Sequence, residues 1–155
     1  MARYSTSNSL AGTQQAVSAS YKTMVALTAA TASLTSAKVY DILVGTSGLP
    51  ADNYMEFDLS RQTAAGTGTA ATPTTLDNSL RAAGTVATVN LTAEGTITAS
   101  SSLFYVGVNQ RASYRWVAAP GSEFIIPATN LQGLALRVRS GGYTGFATGQ
   151  MLHEE

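Results

Sequence analysis

The sequence contains no cysteine, and this absence removes several classes of protein at once. Disulfide frameworks, cysteine-ligated zinc, iron–sulfur clusters and cysteine nucleophiles all need thiol groups. The single histidine, His153, cannot form a histidine-rich metal site, so we expect neither a metal nor another cofactor. No run of 18 apolar residues is present either, which excludes a membrane-spanning helix.

Charged residues are also scarce, at 12% of the chain against about 25% in typical soluble domains. Nine basic and nine acidic residues cancel to a net charge of zero, which argues against a nucleic-acid binder because such proteins use a basic surface to neutralise phosphates. Alanine, threonine, serine and glycine make up 76 of the 155 residues. A nearly neutral surface of small residues repels its neighbours weakly, and this suits a protein that is covered by partners.

The length of 155 residues fits a single domain. Residues 1–19 are polar and show neither a period of 2 nor a period of 3.6, which predicts an extended N-terminal arm that is ordered only when something holds it. The domain itself is predicted over residues 20–155. Within it, residues 62–77 consist mainly of Ala, Thr and Gly, which indicates a long surface loop or a weakly patterned edge strand.

Strand patterns follow one another along the domain, and Tyr54–Arg61 is the clearest. In that segment Met55, Phe57 and Leu59 are predicted to face inward, and the residues between them outward. No segment of ten or more residues shows a helical apolar stripe. The other predicted strands lie in Tyr21–Leu27, Lys38–Gly45, Thr85–Thr98, Leu103–Val108, Ser113–Val117, Glu123–Ile126, Leu134–Arg139 and Phe146–His153.

This rhythm, with turn signals about every 8–12 residues, is typical of an all-β antiparallel sandwich or barrel. For a chain of this length without cysteine we expect an antiparallel β-sandwich closed as a jelly roll. An immunoglobulin-like sandwich needs only about 100 residues and is the second expectation.

No group of residues has catalytic spacing, so we expect a protein that is not an enzyme and has no small-molecule substrate. His153 lies in the last predicted strand, a poor place to bury a triad imidazole, and is interpreted as a surface or interface residue. Glu56 and Asp58 share one strand face, about 7 Å apart, as the carboxylates of inverting glycosidases can be. The apolar residues of that strand point the other way, so a solvated strand face is the preferred interpretation.

Two sets of residues are candidates for contacts with other proteins. Arg137 and Arg139 share a strand face, and they are either ordinary surface charges or interface residues of the kind that arginine favours. Arg3 and Tyr4 in the arm are candidates for the same partner interface. Aromatic residues cluster between residues 103 and 126; because Phe104 and its neighbour cannot face the same way, one of them points away from the core. The candidate subunit interface is formed by Tyr105, Tyr114 and Trp116.

The chain resembles the head decoration, or cement, proteins of tailed bacteriophages. The blocks that carry this resemblance span most of the length, and they are framework residues rather than a site motif. They are MARYS at the start, Arg61–Thr67, Gln110–Trp116, Ala119–Thr129, Gly133–Arg137, Tyr143–Gly145 and the acidic C-terminal residues.

The resemblance implies a jelly-roll subunit that forms homotrimers on the outer surface of an icosahedral phage head, after assembly in the host cytoplasm. It also implies that the major capsid protein is the partner, and that the trimer bridges neighbouring capsid subunits. The alternative is a trimeric jelly-roll recognition module, the receptor- or glycan-binding head of a phage fibre. A carbohydrate-active sandwich enzyme using Glu56 and Asp58 is a weaker third option.

Overall fold

The computed structural model describes residues 1–10, 12–30, 35–49 and 51–155. In these residues the chain forms thirteen strands, and none of its segments is a helix long and apolar enough to cross a membrane. The strands are β1 (Arg3–Ser7), β2 (Gln15–Ala16), β3 (Lys22–Ala29), β4 (Ala37–Ser47), β5 (Tyr54–Ala64), β6 (Thr67–Ala71), β7 (Thr74–Thr75), β8 (Thr85–Ala93), β9 (Thr96–Asn109), β10 (Tyr114–Val117), β11 (Phe124–Ile126), β12 (Gly133–Arg139) and β13 (Phe146–Glu154).

The strands form two sheets packed face to face. The first sheet has the order β10-β4-β13-β1-β7, with β11 also pairing with β4 and β2 with β13. The second sheet has the order β6-β8-β3-β12-β5-β9. The named strands pair antiparallel throughout. The predicted antiparallel β-sandwich is therefore confirmed.

Alternation along the strands places the apolar side chains between the sheets. In β5, Met55, Phe57 and Leu59 are completely buried, as the sequence pattern predicted. The sheets approach closely at Gly149 of β13, where an added Cβ would lie 3.0 Å from side-chain atoms of Met24 and Leu136 on the second sheet. Other fully buried core residues are Leu27, Val39, Val89, Ile126, Leu134, Val138 and Ala147.

Residues 1–19, predicted as an arm, are extended but belong to the sandwich. Strand β1 lies inside the first sheet between β13 and β7, and β2 also pairs with β13. The inward-facing row consists of Ala2, Tyr4, Thr6 and Asn8, all buried. Two of these four side chains are polar, so no hydrophobic alternation was visible in the sequence.

The two ends of the chain meet at this pairing. The backbone N–H of Ala2 donates to the carbonyl of Glu155 at 3.1 Å, and the N–H of Glu155 donates to the carbonyl of Ala2 at 3.0 Å. Strand β6, the edge of the second sheet, lies inside residues 62–77 and confirms the edge-strand alternative for part of that segment.

Candidate functional site

The outer face of the second sheet carries a buried ion pair where β12 lies beside β5. Arg137 donates through Nε and Nη2 to Oδ2 of Asp58, at 2.9 and 2.6 Å. Asp58 also accepts hydrogen bonds from the hydroxyls of Ser60 and Ser102, at 2.7 and 2.5 Å. Asp58 is only 3% exposed, so the solvated strand face predicted for it is wrong. The cause is the set of donors on β5 itself and on the neighbouring strands β12 and β9, which enclose the carboxylate.

Glu56 lies beside this pair in a second cluster. Arg139 Nε donates to Oε2 of Glu56 at 2.5 Å, and the Tyr21 hydroxyl donates to the same oxygen at 3.1 Å. The hydrogen bond from Arg139 lowers the pKa of the Glu56 carboxyl below its usual value. The two carboxylates therefore serve as acceptors for arginine side chains of the same chain.

Arg137 and Arg139, predicted as partner contacts, thus bind acceptors within the chain. Their guanidinium carbons also lie 4.6 and 4.8 Å from the centre of the Tyr21 ring, within the range of a cation–π contact. The Arg137 side chain is 17% exposed, and its donors serve the fold rather than a partner. The Arg139 side chain is more exposed than that of Arg137, at 44%.

Arg3 and Tyr4, the other predicted partner contacts, point to opposite faces of the first sheet. Arg3 lies on the outer face, with Nε 3.8 Å from a Glu154 oxygen and the guanidinium 5.7 Å from the Tyr40 ring centre. Its side chain is 63% exposed and is available to a partner. Tyr4 is completely buried, which corrects the prediction: its ring stacks on His153 in the core, 5.2 Å between centroids.

One side of the sandwich is lined by β9, which ends the second sheet, and by β10 and β11, which flank β4 in the first sheet. We call this side the open edge. Four aromatic side chains fill the gap between the sheets there. The Phe104 ring lies 5.9 Å from Tyr114 and 6.3 Å from Trp116, and Trp116 stacks on Phe124 at 4.4 Å. Phe104, Trp116 and Phe124 pack on the core but are only partly buried.

The candidate subunit interface predicted from the sequence is divided by β9. Tyr114 and Trp116 join the aromatic cluster, whereas Tyr105 lies on the opposite face of β9, 54% exposed. The prediction that Phe104 and Tyr105 face opposite ways is thus confirmed. The Tyr105 hydroxyl lies 2.8 Å from that of Tyr54, and this hydrogen bond raises the pKa of Tyr105 to about 12.

Two open cavities lie side by side on the outer face of the first sheet, with volumes of about 300 and 320 Å³, and both are lined by Leu43. The cavity of about 320 Å³ is lined by Asp41, whose carboxylate accepts hydrogen bonds from Nε and Nη2 of Arg115 at 3.0 and 2.5 Å. Within the described ranges, no cluster of three or more His, Cys, Asp or Glu side chains could hold a metal ion.

His153 is buried in the core rather than at a surface or an interface, which corrects the prediction. Its Nε2 lies 2.9 Å from Oγ1 of Thr85 and 3.7 Å from a carboxylate oxygen of Glu155. Burial lowers the pKa of His153 to about 4, so the ring is neutral at pH 7. The Glu155 carboxylate accepts the backbone N–H groups of Gly84 and Thr85, at 2.7 and 2.8 Å, and ties that loop to the last strand.

Comparison with known proteins identifies no relative of this chain. No protein-family model, no curated protein and no solved structure matches it. Its function is therefore inferred from its own surfaces, among which the open edge carries the partly buried aromatic cluster.

Proposed function

We propose that this protein is a structural component of a tailed-phage head: a decoration, or cement, protein that binds the outer surface of the icosahedral shell as a homotrimer and stabilises contacts between major capsid subunits. In this role it needs no cofactor, nucleic acid or membrane. The open edge carries the proposal, because a partly exposed aromatic cluster beside a long edge strand is a surface suited to contact with another protein.

The strand pairing supports the jelly-roll part of this proposal. With β2, β6, β7, β8 and β11 set aside, the first strand pairs with the last, the second with the second-last, and so on inward. These pairs are β1 with β13, β3 with β12, β4 with β10, and β5 with β9. A long antiparallel hairpin that folds across two sheets produces such nested pairs of strands. We assign this arrangement to an eight-stranded jelly roll. Strands β6 and β8 then extend the second sheet beyond β3.

The distribution of charge supports a role in contacts that do not depend on salt. In the described part of the chain, six of the seven arginines lie within 4 Å of a carboxylate, and the seventh, Arg61, donates to the carbonyl of Ile125. Such paired charges produce little long-range field. A partner is then held mainly by apolar and hydrogen-bonding contacts, and repetition over a lattice strengthens each weak contact by avidity.

The proposal is tested by co-sedimentation with phage heads. Purified protein is titrated onto expanded heads of the encoding phage that lack it, and the copies bound per head are counted at saturation in low and high salt. We expect saturable binding at a copy number divisible by three, with an affinity that changes less than about tenfold between 50 and 200 mM salt, whereas six to ten phosphate contacts to a nucleic acid would lose about 10³-fold or more.

Absence of saturable binding to mature heads would overturn the proposal. The alternative, a receptor- or glycan-binding head of a phage fibre, then gains support if the protein binds a glycan array or host cells. The control is the same titration on heads whose outer surface is already decorated, where no additional copies should bind.

A further inference from the structure

We infer that the open edge is the surface through which one copy of this chain contacts another, with β9 of one copy lying against β10 and β11 of the next. The inference deepens the proposed function, on which it rests only for the number of copies. It names the position of the subunit contact, which is separate from the contact with the capsid.

The first support is the backbone of β9. This strand has fourteen residues and, among the described strands, pairs only with β5. The N–H and C=O groups of every second residue of β9 point away from β5, and these groups consequently lack a strand partner. Monomeric proteins protect such edges with lysine, proline, inward-pointing charge or short length. Bulges are a further protection, and the first part of β9 has them: its pairing with β5 shifts register beyond Leu59, and Ser100 has a φ of 55°. From Ser101 to Asn109 the strand has no charged residue and no proline, so this part of the edge is unprotected.

The opposite side of the sandwich is protected in the usual way. There the second sheet ends in β6, five residues of Thr, Gly and Ala, and the first sheet ends in β7, which has only two residues. The loop that follows β7 continues along β1, with the N–H of Leu76 donating to the carbonyl of Arg3 and the Tyr4 hydroxyl donating to that of Arg81. The contrast between the two sides indicates that the open edge is the one left for a partner.

The second support is the size and apolar character of the open edge. The part of β9 that follows Ser100, which has a φ of 55°, runs from Ser101 to Asn109 and extends about 30 Å at roughly 3.3 Å per residue. Two sheets about 10 Å apart, with their outward side chains, make an edge roughly 20 Å thick. The product is about 600 Å², somewhat less than the roughly 800 Å² that a standard interface buries on each partner, and it fits a contact that repetition on a lattice strengthens. Tyr114, 37% exposed, and the partly buried Phe104, Trp116 and Phe124 lie between the sheets and form the apolar centre that such an interface needs. Val117 and Ile125, 58% and 39% exposed, border it on the outer face of β10 and β11.

The third support identifies the occupant as a second copy. The only charged side chain on β9, β10 or β11 is Arg115, and Asp41 already pairs with it. Arg61, which pairs with no carboxylate, donates to the carbonyl of Ile125 on β11, and a contact between unlike rows places it against the uncharged β9 of the next copy. Two copies therefore meet along this edge without like charges in contact. The two rows of the edge are unlike, one from each sheet. Unlike rows can meet in this way around a two-fold or a three-fold axis, and the number of three copies comes from the proposed function.

The test is the mass of the purified protein in solution, measured by light scattering after size-exclusion chromatography without any phage heads. We expect about 48 kDa, three times the 16.0 kDa of one chain. A Val117→Lys variant, and separately a Tyr114→Lys variant, should weaken association at least tenfold, because each places a charge in the contact. The matched control is Val86→Lys: Val86 is 46% exposed on β8, away from the open edge, and its substitution should leave the mass unchanged.

Amide hydrogen exchange of the unaltered protein gives a second measurement that does not depend on a variant folding. The outward amides between Leu103 and Asn109 should exchange at least tenfold more slowly in the assembled state than after dilution to monomer. A monomer at all concentrations, equal weakening by Val86→Lys, or unchanged exchange in β9 on association would each overturn the inference. Association through the open edge without binding to heads would leave the inference standing and remove the proposed function.

Discussion

Replacement of Asp58 by alanine tests whether the ion pair on the outer face of the second sheet is as tightly enclosed as the structure indicates. The carboxylate of Asp58 accepts four hydrogen bonds, two from Arg137 and one each from Ser60 and Ser102. The substitution leaves the Arg137 guanidinium without its charge partner in a site where that side chain is only 17% exposed.

Loss of one partner from a buried ion pair lowers the free energy of unfolding by about 3–5 kcal/mol. Because Arg137 is partly exposed, we expect a loss of about 3 kcal/mol for Asp58→Ala. For a domain of about 150 residues, each kcal/mol lowers Tm by roughly 2–4 °C, so Asp58→Ala should lower Tm by about 6–12 °C. The free energy of unfolding is measured in urea, and Tm by calorimetry.

The matched control is Asp52→Ala, which removes the same kind of carboxylate from a pair with Arg111. That pair is exposed, at 76% for Asp52 and 56% for Arg111, so its loss should cost less than about 0.5 kcal/mol. If the two variants lose equal stability, the Asp58 site is not enclosed and the reasoning is refuted. A double variant, Asp58→Ala with Arg137→Met, should recover part of the loss because no unpaired charge remains.

Two further predictions concern the core. Burial lowers the folded-state pKa of His153 to about 4 from the ordinary 6.5, despite the nearby Glu155, so the unfolded chain binds a proton first as pH falls. The contribution of His153 to the free energy of unfolding should be constant above pH 6.5 and should fall by about 3 kcal/mol between pH 6.5 and 4. Urea titrations across this range should show this fall, and His153→Gln should lack it. Gly133→Ala should lower the free energy of unfolding by more than about 2 kcal/mol in the same assay, because the added Cβ would lie 1.9 Å from the carbonyl oxygen of Leu27. The control Gly141→Ala, which has open space around it, should change this free energy by less than about 0.5 kcal/mol.

The sequence predicted those parts of the fold that depend on local alternation. The pattern of Tyr54–Arg61 predicts a strand correctly because Met55, Phe57 and Leu59 form a continuous apolar row. Strand β1 was missed because its buried row mixes apolar and polar side chains, and burial there depends on β13, far away in the sequence.

Prediction of the candidate site had the same limit. The aromatic residues of the open edge were recognised from the sequence, but their position at an edge follows from which strands lie beside β9, and no local pattern encodes that. The enclosure of Asp58 depends on Arg137, 79 residues further along the chain. The lack of charge in Thr96–Asn109 was the one local signal for the open edge, and it has meaning only once the strand is known to be unpaired.

The pairing of β1 with β13 has a consequence for how the chain reaches its native state. The first sheet lacks an inner strand until the last residues of the chain are available, because β13 lies between β1 and β4. During synthesis, β4 can pair with β10 and β11 on one side, but its other side and β1 must wait for β13, encoded about one hundred residues or more later. Folds dominated by such distant pairings form slowly, on a scale of milliseconds to seconds. A chain without β13 would expose one free edge on β1 and one on β4 in the middle of the sheet, so loss of β13 should appear as aggregation rather than as a smaller folded domain.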